Sequence, residues 1–205
     1  FEVIRSDAGF ALGSSRSRTP TPLPTGLGSP FVGRAGELDR LESAFRAVAQ
    51  GARAGAALVV SPPGGGKSRL ARELVSAITR RHANVTLLSG EGDSLQAGVP
   101  FGLLGGALAV SMGIVDGLSP LERRGRVVTW TREHVAAPSV GRVAAFLGEV
   151  VGASFPDDAE PLLRTARQDP RLMADQILAS WLEIARFVGR RGPLLLVLDD
   201  LQWAD

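Results

Sequence analysis

The stretch "VVSPPGGGKSRLARELV", Val59 to Val75, constrains the fold more than any other part of the chain. An apolar run ends at Ser61, three consecutive glycines follow, and then come Lys67 and Ser68. Beyond them Leu70, Leu74 and Ile78 recur at helical spacing. Strand, glycine-rich turn and helix in that order make a phosphate-binding loop, because backbone N–H groups and a helix N-terminus converge on one anion. Gly64, Gly65 and Gly66 supply the turn, Lys67 is expected to reach the β- and γ-phosphates, and Ser68 to place its hydroxyl on Mg²⁺. The plainer alternative is a glycine-rich connection between a strand and a helix. Ser61 stands where the pattern G-x-x-x-x-G-K-[ST] has its first Gly. That position needs a small residue more than a flexible one, so the loop is expected to work. Pro62 and Pro63 lack N–H groups, but the phosphate-facing donors come later in the loop.

Lys67 is the single lysine among 23 Lys and Arg residues. A compact ammonium reaches between phosphate oxygens where a forked guanidinium does not. The pI of 10.2 does not signal a nucleic-acid binder, since the net charge is only +2 and Tyr and Cys are absent. Little general attraction to DNA or to an acidic membrane follows. Without cysteine there is no disulfide and no Cys-based zinc site, so a reducing cytoplasm is the expected compartment. No secretory signal pattern opens the chain.

Residues 1–12, "FEVIRSDAGFAL", read as a hairpin that ends an upstream domain. Residues 13–30 are rich in Ser, Thr, Pro and Gly and read as a linker. Residues 31–205 then form one α/β domain, expected as a three-layer P-loop NTPase fold with a parallel sheet. Helices are predicted from about Ala35, over Arg69–His82 and over 171–189, and strands over Ala56–Val60 and Val85–Ser89. In the last helix Leu172, Ile177, Leu178, Trp181, Ile184, Ala185 and Val188 are expected to face inward. Residues 94–115 carry no charge, but their Gly, Pro, Gln and Ser content favours a helix buried in the domain over a membrane span. Residues 119–165 read as several short helices.

"LLLVLDD" reads as a central strand buried on both faces that delivers two acids to its end. Asp199 is the candidate for the Mg²⁺ shell, and Asp200 for orienting or deprotonating the attacking water. Two solvated carboxylates at a strand end are the alternative. Phe1 is not a start residue and the chain stops just after this strand, so a longer polypeptide, truncated at the C-terminus, is expected.

"PFVGRAGELDRL", "PPGGGKSRLARELV" and "LLLVLDDLQWAD", in this order, resemble the ATPase domain of the STAND/AAA-type bacterial regulators, including large LuxR-type transcription regulators and cyclase- or kinase-linked ATPases. The resemblance covers about residues 30–205. It implies an ATP-binding, ATP-hydrolysing switch in the cytoplasm, with output or sensor domains attached and homo-oligomerisation on activation. It implies that Val32, Gly33 and Arg34 lie near the adenine, where the residues themselves show only a turn leading into a helix. Gly64, Gly65, Gly66, Lys67, Ser68 and Arg69 complete the expected nucleotide set, with Ser68 and Asp199 on Mg²⁺ and Lys67 and Asp200 in catalysis. The family often has Gly at the position of Ser61 and His at that of Gln202. It also implies a further strand after Asp205, between the acid-bearing strand and the loop strand, so this segment alone is expected to turn over negligibly. The alternative function is a non-hydrolysing scaffold or sensor. A GTPase is disfavoured, because the guanine-reading motif needs a second lysine. "LSGEG" at Leu88–Gly92 lies too far from the acids for a transporter signature and reads as a strand end. DNA binding is expected only through attached domains.

Overall fold

A computed structural model describes residues 3–6, 9–12, 31–51, 53–94 and 98–204. The linker expected over 13–30 lies outside them. The hairpin forms as read: β1 (Val3–Ser6) and β2 (Gly9–Leu12) pair antiparallel, Val3 opposite Leu12.

The next unit is α1 (Ala35–Gly51) packed against α2 (Lys67–Arg81). Leu38, Leu41, Phe45 and Val48 form the half-buried face of α1 that the periodicity predicts. Buried Glu42 pairs with Arg81, and the rings of Phe45 and His82 meet edge-on at 5.1 Å. α2 starts two residues earlier than predicted, which puts Lys67 and Ser68 inside its first turn.

The strand predicted over Ala56–Val60 does not form. This segment has no regular secondary structure and no ladder partner among the described residues, and Leu58 and Val60 are 74% and 80% exposed. β propensity alone cannot hold a strand; it needs cross-strand neighbours.

The parallel sheet of the described residues has two strands, β3 (Thr86–Glu91) and β4 (Leu194–Asp199), in register from Thr86–Leu194 to Glu91–Asp199. β4 is half-buried along its whole length, not enclosed on both faces as its composition suggests. Its second edge carries no strand among the described residues.

α3 (Gly102–Ser111) lies on β3. At ten residues it spans about 15 Å, and no helix of the described residues is long and apolar enough to cross a membrane. α4 (Pro120–His134), α5 (Val140–Val150), α6 (Leu163–Gln168) and α7 (Pro170–Gly189) complete the helical part. One core joins Leu88, Leu108, Val127, Val143, Leu147 and Ile184; a second gathers Phe146, Leu163, Ala166 and Ile177 around α5, α6 and α7. Leu178, expected inside, is 49% exposed, because α7 buries the narrower stripe of Ile177, Ser180, Ile184 and Val188. Arg167 ties α6 to Glu149, Asp157 and the Phe155 carbonyl. The hydrogen bonds it donates to the Glu149 carboxylate hold its guanidinium pKa above the usual value.

Candidate functional site

The loop Ser61–Gly66 leads straight into α2. It closes on a bond from Gly65 N–H to Pro62 O at 3.0 Å. Gly64 and Gly66 have φ of +74° and +78°, the left-handed region that side chains with a Cβ rarely adopt. Lys67 Nζ donates to Ser61 O at 2.9 Å and to Pro62 O at 3.4 Å, so the ammonium is folded over the loop. Ser61 Oγ donates to Pro62 O at 3.4 Å and lies where a Cβ on Gly65 would go. The departure at Ser61 therefore packs inside the turn, and Lys67 bonds its backbone oxygen, which a glycine would also offer.

The start of α2 has no side-chain cap and no acid in its first turn. The first N–H groups of a helix have no acceptor within it, so an uncapped start favours an anion there. Elsewhere the chain does cap. Ser119 and Glu122 form a capping box on α4, and Asp169 accepts from Arg171 N–H and Leu172 N–H on α7. An uncapped start is not specific by itself, since α3 and α5 share it. The glycine turn and folded-over ammonium distinguish α2. An uncapped helix start, a cation held by neutral carbonyls and an exposed Ser68 hydroxyl suit a phosphate chain with its metal. Arg69 bonds Glu73 at 2.8 Å along the helix flank.

Asp199 ends β4 and Asp200 follows it, both half-buried. Asp200 has φ +54°, a conformation Asp tolerates better than most residues. Its N–H donates to Asp199 Oδ1 at 3.0 Å, and Gln202 Nε2 donates to Asp200 Oδ1 at 3.0 Å. Neither carboxylate is ion-paired among the described residues. In the sequence Gln202 stands out only as a departure from a family pattern, and Leu88–Gly92 reads as a strand end. β3 does end there, at Glu91, and the Gly92 N–H that follows donates to Asp199 O at 2.9 Å.

Val32 is 77% exposed, Gly33 has φ +84°, and the Arg34 carbonyl accepts from Leu38 N–H as α1 begins. The structure thus forms three local groups: Val32–Arg34, Gly64–Arg69 and Asp199–Asp200. No hydrogen bond joins them among the described residues. An open groove of about 510 Å³ on α7, lined by Arg142, Arg186, Phe187 and Arg190 among others, shares no residue with any of the three.

Comparison with the curated proteins found no match, and comparison with the solved structures found none either. The family description "AAA ATPase domain" matches residues 30–205, which takes in the helix-leading turn, the glycine loop and the acidic strand end together. By that match, over most of its length, the chain belongs to the AAA ATPase domain family.

Proposed function

We propose that this domain is an ATP-driven regulatory switch of the STAND type, within a cytoplasmic bacterial signalling or transcription regulator. The observation that carries the reading is the loop itself: a lone ammonium folded over a glycine turn, at a helix start with neither cap nor acid. Bound ATP would bring a phosphoanhydride to be cleaved, and Mg²⁺ would neutralise charge on its phosphates. Lys67 exchanges two neutral carbonyl acceptors for charged phosphate oxygens, a stronger hydrogen bond. The amides of Lys67, Ser68 and Arg69 hold negative charge at the helix start. Ser68 and Asp199 hold the metal, and Asp200 orients the attacking water or takes its proton. Val32, Gly33 and Arg34 line the adenine end.

In this reading the domain is three-layered, with a further strand between β4 and the Ala56–Val60 segment. The open edge of β4 and the exposed Leu58 and Val60 support it. Residues 1–12 close an upstream domain and 13–30 link it to the ATPase domain. Attached domains carry the output, DNA contact included, and nucleotide state sets how they pack or assemble into a homo-oligomer.

Calorimetry of ATP binding in Mg²⁺ tests the loop. Lys67→Ala is expected to weaken binding roughly 10- to 100-fold, the span of a charge-assisted hydrogen bond; undiminished binding would sink the reading. A second reading, a non-hydrolysing sensor, is favoured by one contact: the Gln202 amide already occupies an Asp200 oxygen. Single-turnover hydrolysis by the full-length protein and its Asp200→Asn variant separates the two. Equal inertness with ATP still bound selects the sensor.

A further inference from the structure

We infer that Gly92 is the positioning residue for the acidic pair: the absence of its side chain sets how Asp199 and Asp200 are presented to a divalent cation. This rests on the assignment of Asp199 to the metal. Gly92 follows the last register pair, Glu91 with Asp199, and its N–H donates to Asp199 O at 2.9 Å. A Cβ built on Gly92 would overlap the Asp200 carbonyl oxygen and come within 3.2 Å of both Asp200 C and Trp203 Cβ. That obstacle is main chain, so no rotamer change relieves it. The same carbonyl accepts from Trp203 N–H at 3.1 Å, closing the 3₁₀ turn Leu201–Trp203. It is therefore trapped between that turn and the Gly92 backbone.

Moving it rotates the chain at Asp200, which already sits at φ +54°. Two contacts that orient the carboxylates then change together: Asp200 N–H to Asp199 Oδ1, and Gln202 Nε2 to Asp200 Oδ1. Gly90, two residues earlier, supplies the contrast. A Cβ there would meet Leu103 O at 2.8 Å and Ala107 Cβ at 3.1 Å, both on α3, and neither acid. In "LSGEG" the first glycine admits a helix and the second admits the acid-bearing bend.

ATP binding is titrated calorimetrically on the full chain, in Mg²⁺ and in EDTA, for wild type, Gly92→Ala, Gly90→Ala and Asp199→Asn. Gly92→Ala is expected to lose about tenfold in the Mg²⁺-dependent part of affinity, as residues supporting metal ligands do, and to keep its EDTA affinity. Asp199→Asn should match it, while Gly90→Ala should lower thermal stability and keep the Mg²⁺ increment. A wild-type increment in Gly92→Ala beside a lost one in Asp199→Asn overturns the role of Gly92 alone. An intact increment in Asp199→Asn overturns the metal assignment and this inference with it. If Gly92→Ala does not fold, hydrogen exchange on the unaltered chain decides. Mg²⁺ with ATP should slow exchange of the Gly92 amide, and ATP in EDTA should not; equal protection under both conditions overturns the inference.

Discussion

Single atoms set the hydrogen bonds at Ser61, Lys67 and Asp200. Lys67 bonds the backbone oxygen of Ser61, not its hydroxyl, so Ser61→Gly keeps that acceptor. The substitution should leave ATP affinity within about threefold and lower stability by roughly 0.5–1 kcal/mol through added backbone freedom. Calorimetry and thermal melts check both. Asp200 is held at one oxygen by Gln202. Gln202→Ala should free that carboxylate, so single-turnover hydrolysis by the full-length protein is expected to rise if Asp200 acts on water. The loop residues were legible from sequence because their spacing follows one covalent turn. Gly92 was not, because its constraint comes from a backbone more than a hundred positions later.

Helices obey local rules, and those rules were largely readable. α1, α2 and α7 formed where apolar spacing placed them, and Pro120 and Pro170 mark the first turns of α4 and α7. The capping box of α4 carries a pH prediction. Hydrogen bonds from the Ser119 side chain and then its backbone hold the Glu122 carboxyl pKa below the ordinary glutamate range. A depressed folded pKa means the carboxylate form stabilises the fold above the unfolded value, about 4.3. That contribution is lost as pH falls through the lower folded value. Glu122→Gln should flatten this acid limb in urea melts taken below about pH 4.3, and Ser119→Ala should cost about 1 kcal/mol at neutral pH. Strands were less legible. Val85–Ser89 extended to Glu91, while Ala56–Val60 stayed unpaired, since a strand's existence depends on a neighbour remote in sequence.

At the scale of the whole molecule, the two buried clusters of the described residues join α3 to α7 with β3 and β4, and neither includes a residue of α1 or α2. Phe146, fully buried among α5, α6 and α7, should cost about 3–5 kcal/mol when replaced by Ala. Unfolding is expected in separate steps. Fluorescence of Trp130 and Trp181, which lie in or against the main core, should not coincide in urea with loss of exchange protection in α2. Coincident transitions would show one cooperative unit.

The sequence by itself determined the loop, its lysine, the helices and the two acids at a strand end, because each is written in contiguous residues whose spacing has one physical meaning. Tertiary structure alone decided which apolar runs became strands, that β4 is half-buried, that Leu178 faces out and that Gly92 must lack a side chain. Those outcomes turn on which distant backbone lies within a few ångströms, and no local pattern encodes that proximity.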